Sequence, residues 1–308
     1  MWYKVSSIMT FQTTPAAAFK ILRATHLGMC FGVRDAIDLA LNQTKPITIL
    51  GDLVHNETVL HQLRAQGVKM QDQVADITTQ AVMITAHGAS QRRLDLVRRR
   101  GLKVLEATCP LVHHAHRAVA QMVAKGCHPV IIGRRDHVEV RGLTEDLEDY
   151  DIILTEGDVE QLRERPRFGI AAQTTQPIDR VRHLVGLIRN RFPGSEVHFH
   201  DTVCQPTKQR QTAAIELAAQ CDVVVVIGGS HSNNTLELVA TCRQQCRAVH
   251  HVQSAAEVCP EWFSEAAVVG ITAGTSTPDT VIEEVEQCLQ ALANRSKNLR
   301  EKDALLTV

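Results

Sequence analysis

Short apolar runs alternate with amphipathic stretches along most of this chain. ITIL at 47–50, AVMI at 81–84, PVII at 129–132, FGIAA at 168–172, VVVVI at 223–227 and VVGITA at 268–273 are strand-sized and mostly rich in β-branched residues. Between them, FGVRDAIDLALNQ, TVLHQLRAQG, PLVHHAHRAVAQMVAKG, QPTKQRQTAAIELAAQ and TLELVATCRQQ read as amphipathic helices. Strands without polar alternation, separated by helices, predict βα units around parallel sheets that are covered on both faces.

The pattern recurs three times. Each unit runs from a cysteine through a helix, a strand, a polar loop, a second helix and a second strand to a second polar loop. The units open at Cys30, Cys109 and Cys204. They predict three similar α/β domains over 20–108, 109–203 and 204–290, followed by a C-terminal tail at 291–308. All the polar loops follow apolar strands, so they gather at the carboxyl edges of the sheets, where α/β proteins bind ligands. Asn56, Ser90, Asn234 and Thr277 are helix-capping types, and Pro177 and Pro278 suit a first helical turn. Each of the three cysteines directly precedes a helix, where the dipole and free N–H groups favour a thiolate. Three equivalent cysteines on three similar units predict one shared site on a pseudo-threefold axis.

The bulk numbers narrow the field. The chain has 308 residues, 44% of them hydrophobic and 22% charged, with a formal net charge of -1. That balance carries no footprint for nucleic acid or an anionic membrane, so an acidic ligand must be held by a local site. The longest apolar runs are far too short to span a bilayer. The N-terminal stretch lacks the uninterrupted apolar core of a signal peptide, which makes the cytoplasm the expected location, and Met9 is a candidate true start. None of the nine cysteines forms a C-x-x-C pair. Cys127, Cys221, Cys242, Cys246, Cys259 and Cys288 read as small packing residues, although Cys242 and Cys246 lie four apart on a predicted helix and can in principle share a metal.

Three thiolates can hold a 4Fe–4S cluster and leave its fourth iron without a protein ligand. Zinc is the rival, though structural zinc asks for four ligands, usually with short spacings. Spacing alone leaves both open. The polar loops carry His55 and Asn56, His87, His137 and Glu139, Thr174 and Thr175, Ser232, Asn233 and Asn234, and Ser276. Neutral donors beside helix N-termini suit an anion, phosphate in particular. Each also has a plainer reading: Ser276 and Thr277 as helix caps, Glu139 as an ion-pair partner of Arg134 or Arg141, the loop histidines as surface groups. His113, His114 and His116 read as structural. Recurrence at matching points of three units favours the functional reading.

Those segments, taken in order, resemble one known family. They are G-x-C-x-G-V around Cys30, V-H-N at His55, A-H-G at His87, E-A-T-C-P-L-V around Cys109 and H-V-E-V-x-G at His137. Q-T-T at Thr174, D-T-V-C-x-P-T-x-x-R-Q around Cys204, S-N-N at Ser232 and T-A-G-x-S-x-P-D around Ser276 complete the series. Together they are similar to the 4-hydroxy-3-methylbut-2-enyl diphosphate reductases, the LytB/IspH family, over about residues 20 to 290. The resemblance implies a cloverleaf of three α/β domains around one central 4Fe–4S cluster with Cys30, Cys109 and Cys204 as its ligands. It implies reductive dehydroxylation of an allylic diphosphate to isopentenyl and dimethylallyl diphosphate, with Glu139 as proton source and Thr174 relaying or orienting its proton. His55, His87, His137, Thr174, Thr175, Ser232, Asn233, Asn234 and Ser276 match positions around the substrate. Electrons are expected from a ferredoxin- or flavodoxin-type donor.

Two departures fall in the substrate shell. The family's G-H-x-x-H-P-E is here G-R-R-D-H-V-E, placing Arg134 and Val138 where a His and a Pro are usual, and S-S-N has become S-N-N at Asn233. Both leave the cysteines untouched. They admit altered rate or substrate, or a paralogue serving as an iron–sulfur sensor or binding protein; a zinc-stabilised binding protein is the third reading.

Overall fold

The chain is described by a computed structural model covering residues 19–306, with side chains to residue 295. The N-terminal stretch and the candidate start at Met9 lie outside the described residues.

Three parallel four-stranded sheets form the frame. In chain order the elements are β1 (Lys20–Arg23), α1 (Phe31–Leu41), β2 (Ile47–Leu50), α2 (Glu57–Ala65), β3 (Lys69–Gln71), β4 (Ala81–Ile84), α3 (Gln91–Arg99), β5 (Lys103–Glu106) and α4 (Pro110–Ala124). Then come β6 (His128–Ile132), α5 (Val138–Thr144), β7 (Asp151–Ile153), α6 (Glu156–Gln161), β8 (Arg167–Ala172), α7 (Ile178–Arg191), β9 (Glu196–Phe199) and α8 (Gln205–Ala218). The last are β10 (Val223–Ile227), α9 (Asn233–Arg243), β11 (Ala248–Val252), β12 (Val268–Ala273) and α10 (Asp279–Leu306). The sheet orders are β3-β2-β4-β5, β7-β6-β8-β9 and β11-β10-β12-β1.

The six apolar runs are the two central strands of each sheet. β10 shows why they lack alternation. Val223, Val225 and Ile227 pack with Val281, Ile282, Val285 and Leu289 of α10 on one face. Val224 and Val226 pack with Leu217 of α8 and Leu238, Val239 and Cys242 of α9 on the other. Each such aliphatic side chain contributes roughly 1.5–3 kcal/mol by leaving water. The outer strands are short and only partly buried, as in β3 and β5, so they send no comparable signal.

Two boundaries differ from the sequence expectation. β1 does not belong with the first domain: it pairs in parallel with β12, Leu22 opposite Gly270, and closes the third sheet. Its residues are half-exposed and supply the edge that the third unit otherwise lacks. The tail expected from residue 291 is instead the continuation of α10, whose earlier turns anchor on the third sheet. Among the caps, Asn56 and Ser90 accept backbone N–H bonds as expected. Asn234, however, lies inside α9, which Ser232 caps, and Thr277 Oγ1 donates to the Ile227 carbonyl.

Candidate functional site

The pseudo-threefold relation is visible at the cysteines. Each ends the connection from a fourth strand (β1, β5 or β9) and is the N-cap of the helix that follows: Cys30 for α1, Cys109 for α4, Cys204 for α8. Each donates its backbone N–H to a carbonyl just beyond the third strand of a sheet. Cys30 binds Thr275 O at 3.1 Å, Cys109 binds Ala86 O at 3.1 Å and Cys204 binds Thr174 O at 3.0 Å. One cavity is lined by all three, together with His87, Glu139, Thr174 and Thr175. Approach is close: a Cβ on Gly32 would lie 2.5 Å from Cys109 Sγ, so only glycine lets the head of α1 sit against that cysteine.

Helix position was expected to favour thiolates, but burial dominates. It pushes Cys204 up to about 11, against hydrogen bonds from Thr207, and raises Cys109 as well. Burial therefore favours the protonated thiols of Cys109 and Cys204, and a metal must displace those protons. All nine cysteines are free. No fourth cysteine lines the cavity, and Glu139 is already engaged, so the donor set suits a three-thiolate iron–sulfur cluster better than structural zinc. Cys242 and Cys246 serve as packing: Cys242 is wholly buried in the third domain's core and Cys246 Sγ faces the carbonyls of Cys221 and Asp222 at 3.3 Å.

Glu139 is only 1% exposed and has no arginine partner among the described residues. Its Oε1 accepts the Thr174 N–H at 2.6 Å and its Oε2 accepts the Thr174 hydroxyl at 3.0 Å. Burial raises its pKa to about 7, although both Thr174 bonds pull downward. The carboxyl group is thus poised between its two states at neutral pH. Because Oε1 faces an N–H that can only donate, the acid proton belongs on Oε2. There the Thr174 hydroxyl can reverse from donor to acceptor.

His55, His87 and His137 come from loops after β2, β4 and β6, and meet across the first and second domains. The His55 and His87 rings stack with centroids 4.4 Å apart, and His137 meets them edge-on at 5.1 and 5.4 Å. One nitrogen from each lies within 4.8 Å of the others. Burial depresses all three, against the pull of Asp52 at His55, and repulsion from His55 adds to it at His87 and His137: His87 falls well below its usual range and His137 to about 3. Such neutral imidazoles could bind a metal. However, His137 Nδ1 caps α5 by accepting the Glu139 N–H at 3.1 Å, so its Nε2 carries the proton. That outward donor suits an anion rather than a cation.

The third domain completes a polar wall beside the cavity. Asn233 Nδ2 donates to Thr175 Oγ1 at 3.1 Å, tying the third domain to the second. Asn234 Oδ1 accepts the Thr275 N–H, and Ser276 Oγ donates to the His55 carbonyl at 3.2 Å. Four buried polar atoms here lack a protein partner: His55 Nε2, His87 Nε2, Asn233 Oδ1 and Asn234 Nδ2. Clustered orphans of this kind ask for a polar ligand. Sequence reasoning did not assign roles to Thr207, whose Oγ1 is 3.0 Å from Cys204 Sγ, or to the buried Arg210. Both lie in the quoted segment around Cys204, and their spacing on α8 was the available signal.

Known proteins resemble this chain over most of its length. The family described as LytB protein matches residues 21–290. The 4-hydroxy-3-methylbut-2-enyl diphosphate reductase of Geobacter metallireducens is 34% identical over 270 residues, spanning 86% of this chain and 95% of that protein. The protein of the same name from Dictyoglomus thermophilum is 34% identical over 87% of this chain and 95% of its own. Among solved structures, the E-1-hydroxy-2-methyl-but-2-enyl-4-diphosphate reductase from Plasmodium falciparum superposes with a TM-score of 0.82 at 25% identity, covering 88% of this chain and 87% of that one. A structure of (E)-4-hydroxy-3-methyl-but-2-enyl diphosphate reductase, the terminal enzyme of the non-mevalonate pathway, gives 0.64 at 34% identity, covering 88% and 99%. With three equivalent cysteine-bearing domains and relatives matched over most of their length, the chain belongs to the LytB protein family.

Proposed function

We propose that this protein reduces 4-hydroxy-3-methylbut-2-enyl diphosphate to isopentenyl and dimethylallyl diphosphate. The observation that carries the reading is the buried Glu139–Thr174 pair in the wall of the cavity shared by Cys30, Cys109 and Cys204. The overall change consumes two electrons and two protons, cleaves the allylic C–O bond and releases water. When bound, a 4Fe–4S cluster on the three thiolates would supply electrons and an iron free of protein ligands.

The chain's own residues do the rest. His55, His87, His137, Ser232, Asn233, Asn234, Thr175 and Ser276 form the polar wall that receives the diphosphate, converting remote binding energy into positioning. In this structure the Ser276 hydroxyl points to the His55 carbonyl and the Asn233 amide to Thr175, so both act first by fixing the wall. Glu139 in its protonated form carries the proton on Oε2, and Thr174 Oγ1, hydrogen-bonded to that oxygen, passes it to the departing oxygen. General-acid help of this kind is worth about 10²–10⁴-fold. Electrons would come from a small ferredoxin- or flavodoxin-type protein in the cytoplasm. Among the described residues no helix is long and apolar enough to cross a membrane.

The test is anaerobic reconstitution, an iron and acid-labile sulfide assay, and turnover of the hydroxymethylbutenyl diphosphate with reduced viologen. Cluster assembly with formation of both products is expected. An intact cluster without turnover would reject the enzyme, and zinc without iron and sulfide would reject the cluster.

A further inference from the structure

Arg210 lies six residues beyond Cys204 and is only 7% exposed. Its side chain runs back along α8 toward the helix N-terminus, the direction helical side chains take. Nη1 donates to the Pro206 carbonyl at 3.0 Å, just inside the head of the helix that Cys204 caps. Nε and Nη2 both donate to the Gly28 carbonyl, at 3.0 and 2.6 Å, two residues before Cys30. One planar fork therefore joins the backbone segments that carry two of the three cysteines, across the seam between the β1–α1 loop and α8.

The charge is the less ordinary part. All of these acceptors are neutral carbonyls, and among the described residues no carboxylate forms an ion pair with Arg210. Burial disfavours its charge; among the described residues the ionisable groups that bear on it are Cys30 and Cys204, which attract it once they are thiolates, and Arg34, which repels it. A buried cation without a counter-charge is costly, and a guanidinium stays charged at any working pH. An anionic iron–sulfur–thiolate assembly in the adjoining cavity would complete the pair.

We propose that Arg210 is the cluster's positioning residue and its electrostatic partner: the fork locks Cys30 to Cys204, and the buried charge stabilises the more negative, reduced cluster. The proposal rests on the reading of the three cysteines as cluster ligands. A cation beside the cluster raises its reduction potential, so removing the charge should lower it.

The test compares the parent with Arg210→Gln and Arg210→Lys, each reconstituted anaerobically to equal iron and sulfide and titrated spectroscopically against redox mediators. Gln should cut the ratio of reduced to oxidised cluster at least tenfold at fixed ambient potential, equivalent to 59 mV for one electron. Lys, which keeps a point charge but not the fork, should recover most of that ratio and lose iron to a chelator faster than the parent. A parent potential in fully loaded Arg210→Gln would overturn the proposal. If Arg210→Gln holds no cluster, thermal unfolding of the metal-free proteins decides. Unfolding at the parent's temperature makes the defect specific to the cluster, whereas a large drop shows Arg210 to be a fold staple only and overturns the proposal. A parent that itself takes up no iron and sulfide removes the cluster reading, which the other outcomes leave standing.

Discussion

Gly229 stands against the His55 carbonyl so closely that a Cβ there would lie 2.6 Å from the oxygen. Ser276 donates to the same carbonyl. Two loops of the third domain thus hold the backbone of a first-domain histidine, and the polar wall depends on contact between domains.

Gly229→Ala should therefore displace the His55 loop. The added methyl meets backbone, which cannot rotate away, and overpacking of this kind costs about 1–3 kcal/mol. Binding of inorganic diphosphate, followed by calorimetry, should weaken, and the melting temperature should fall. Unchanged diphosphate binding would separate His55 from the anion site.

Glu139→Gln should keep the cluster and substrate binding but lower turnover by about 10²–10⁴-fold. In the parent, the active form is the protonated acid, so the rate should decline as pH rises through about 7. The Gln variant should lose that limb. Normal turnover would take Glu139 out of the acid role.

Thr174→Val should act on the same limb in a definite direction. The hydroxyl bond to Oε2 favours the carboxylate, so its loss raises the Glu139 pKa and moves the falling limb to higher pH. The backbone bond to Oε1 survives the change. Turnover should also drop, because the group placed to relay the proton is gone. A pH–rate profile of the variant checks both; a limb shifted to lower pH would contradict the geometry.

Cys109→Ser and Cys242→Ser should differ in kind. The first removes a cavity-lining thiol and should abolish cluster retention, as read by iron content and visible absorption. The second should keep full iron and sulfide and most activity. Its cost of about 1–3 kcal/mol should appear only as a lower unfolding midpoint, because a hydroxyl replaces a thiol in an apolar core.

What the sequence determined by itself was the repeated part of the protein. Central strands buried on both faces, capped helices and cysteines at equivalent helix starts are patterns carried by neighbouring residues. Three parallel sheets followed from them, and of the loop residues named from recurrence His87, Glu139, Thr174 and Thr175 line the cavity that holds the three cysteines. Only the tertiary structure decided that β1 closes the third sheet, since a short half-exposed edge strand has no periodicity to reveal its partner. It alone decided that burial outweighs helix position at Cys204, that Asn233 reaches Thr175, and that Arg210 bridges Gly28 and Pro206. These depend on contacts between segments far apart in the chain, where solvent exclusion and hydrogen-bond partners arise only once the domains have met.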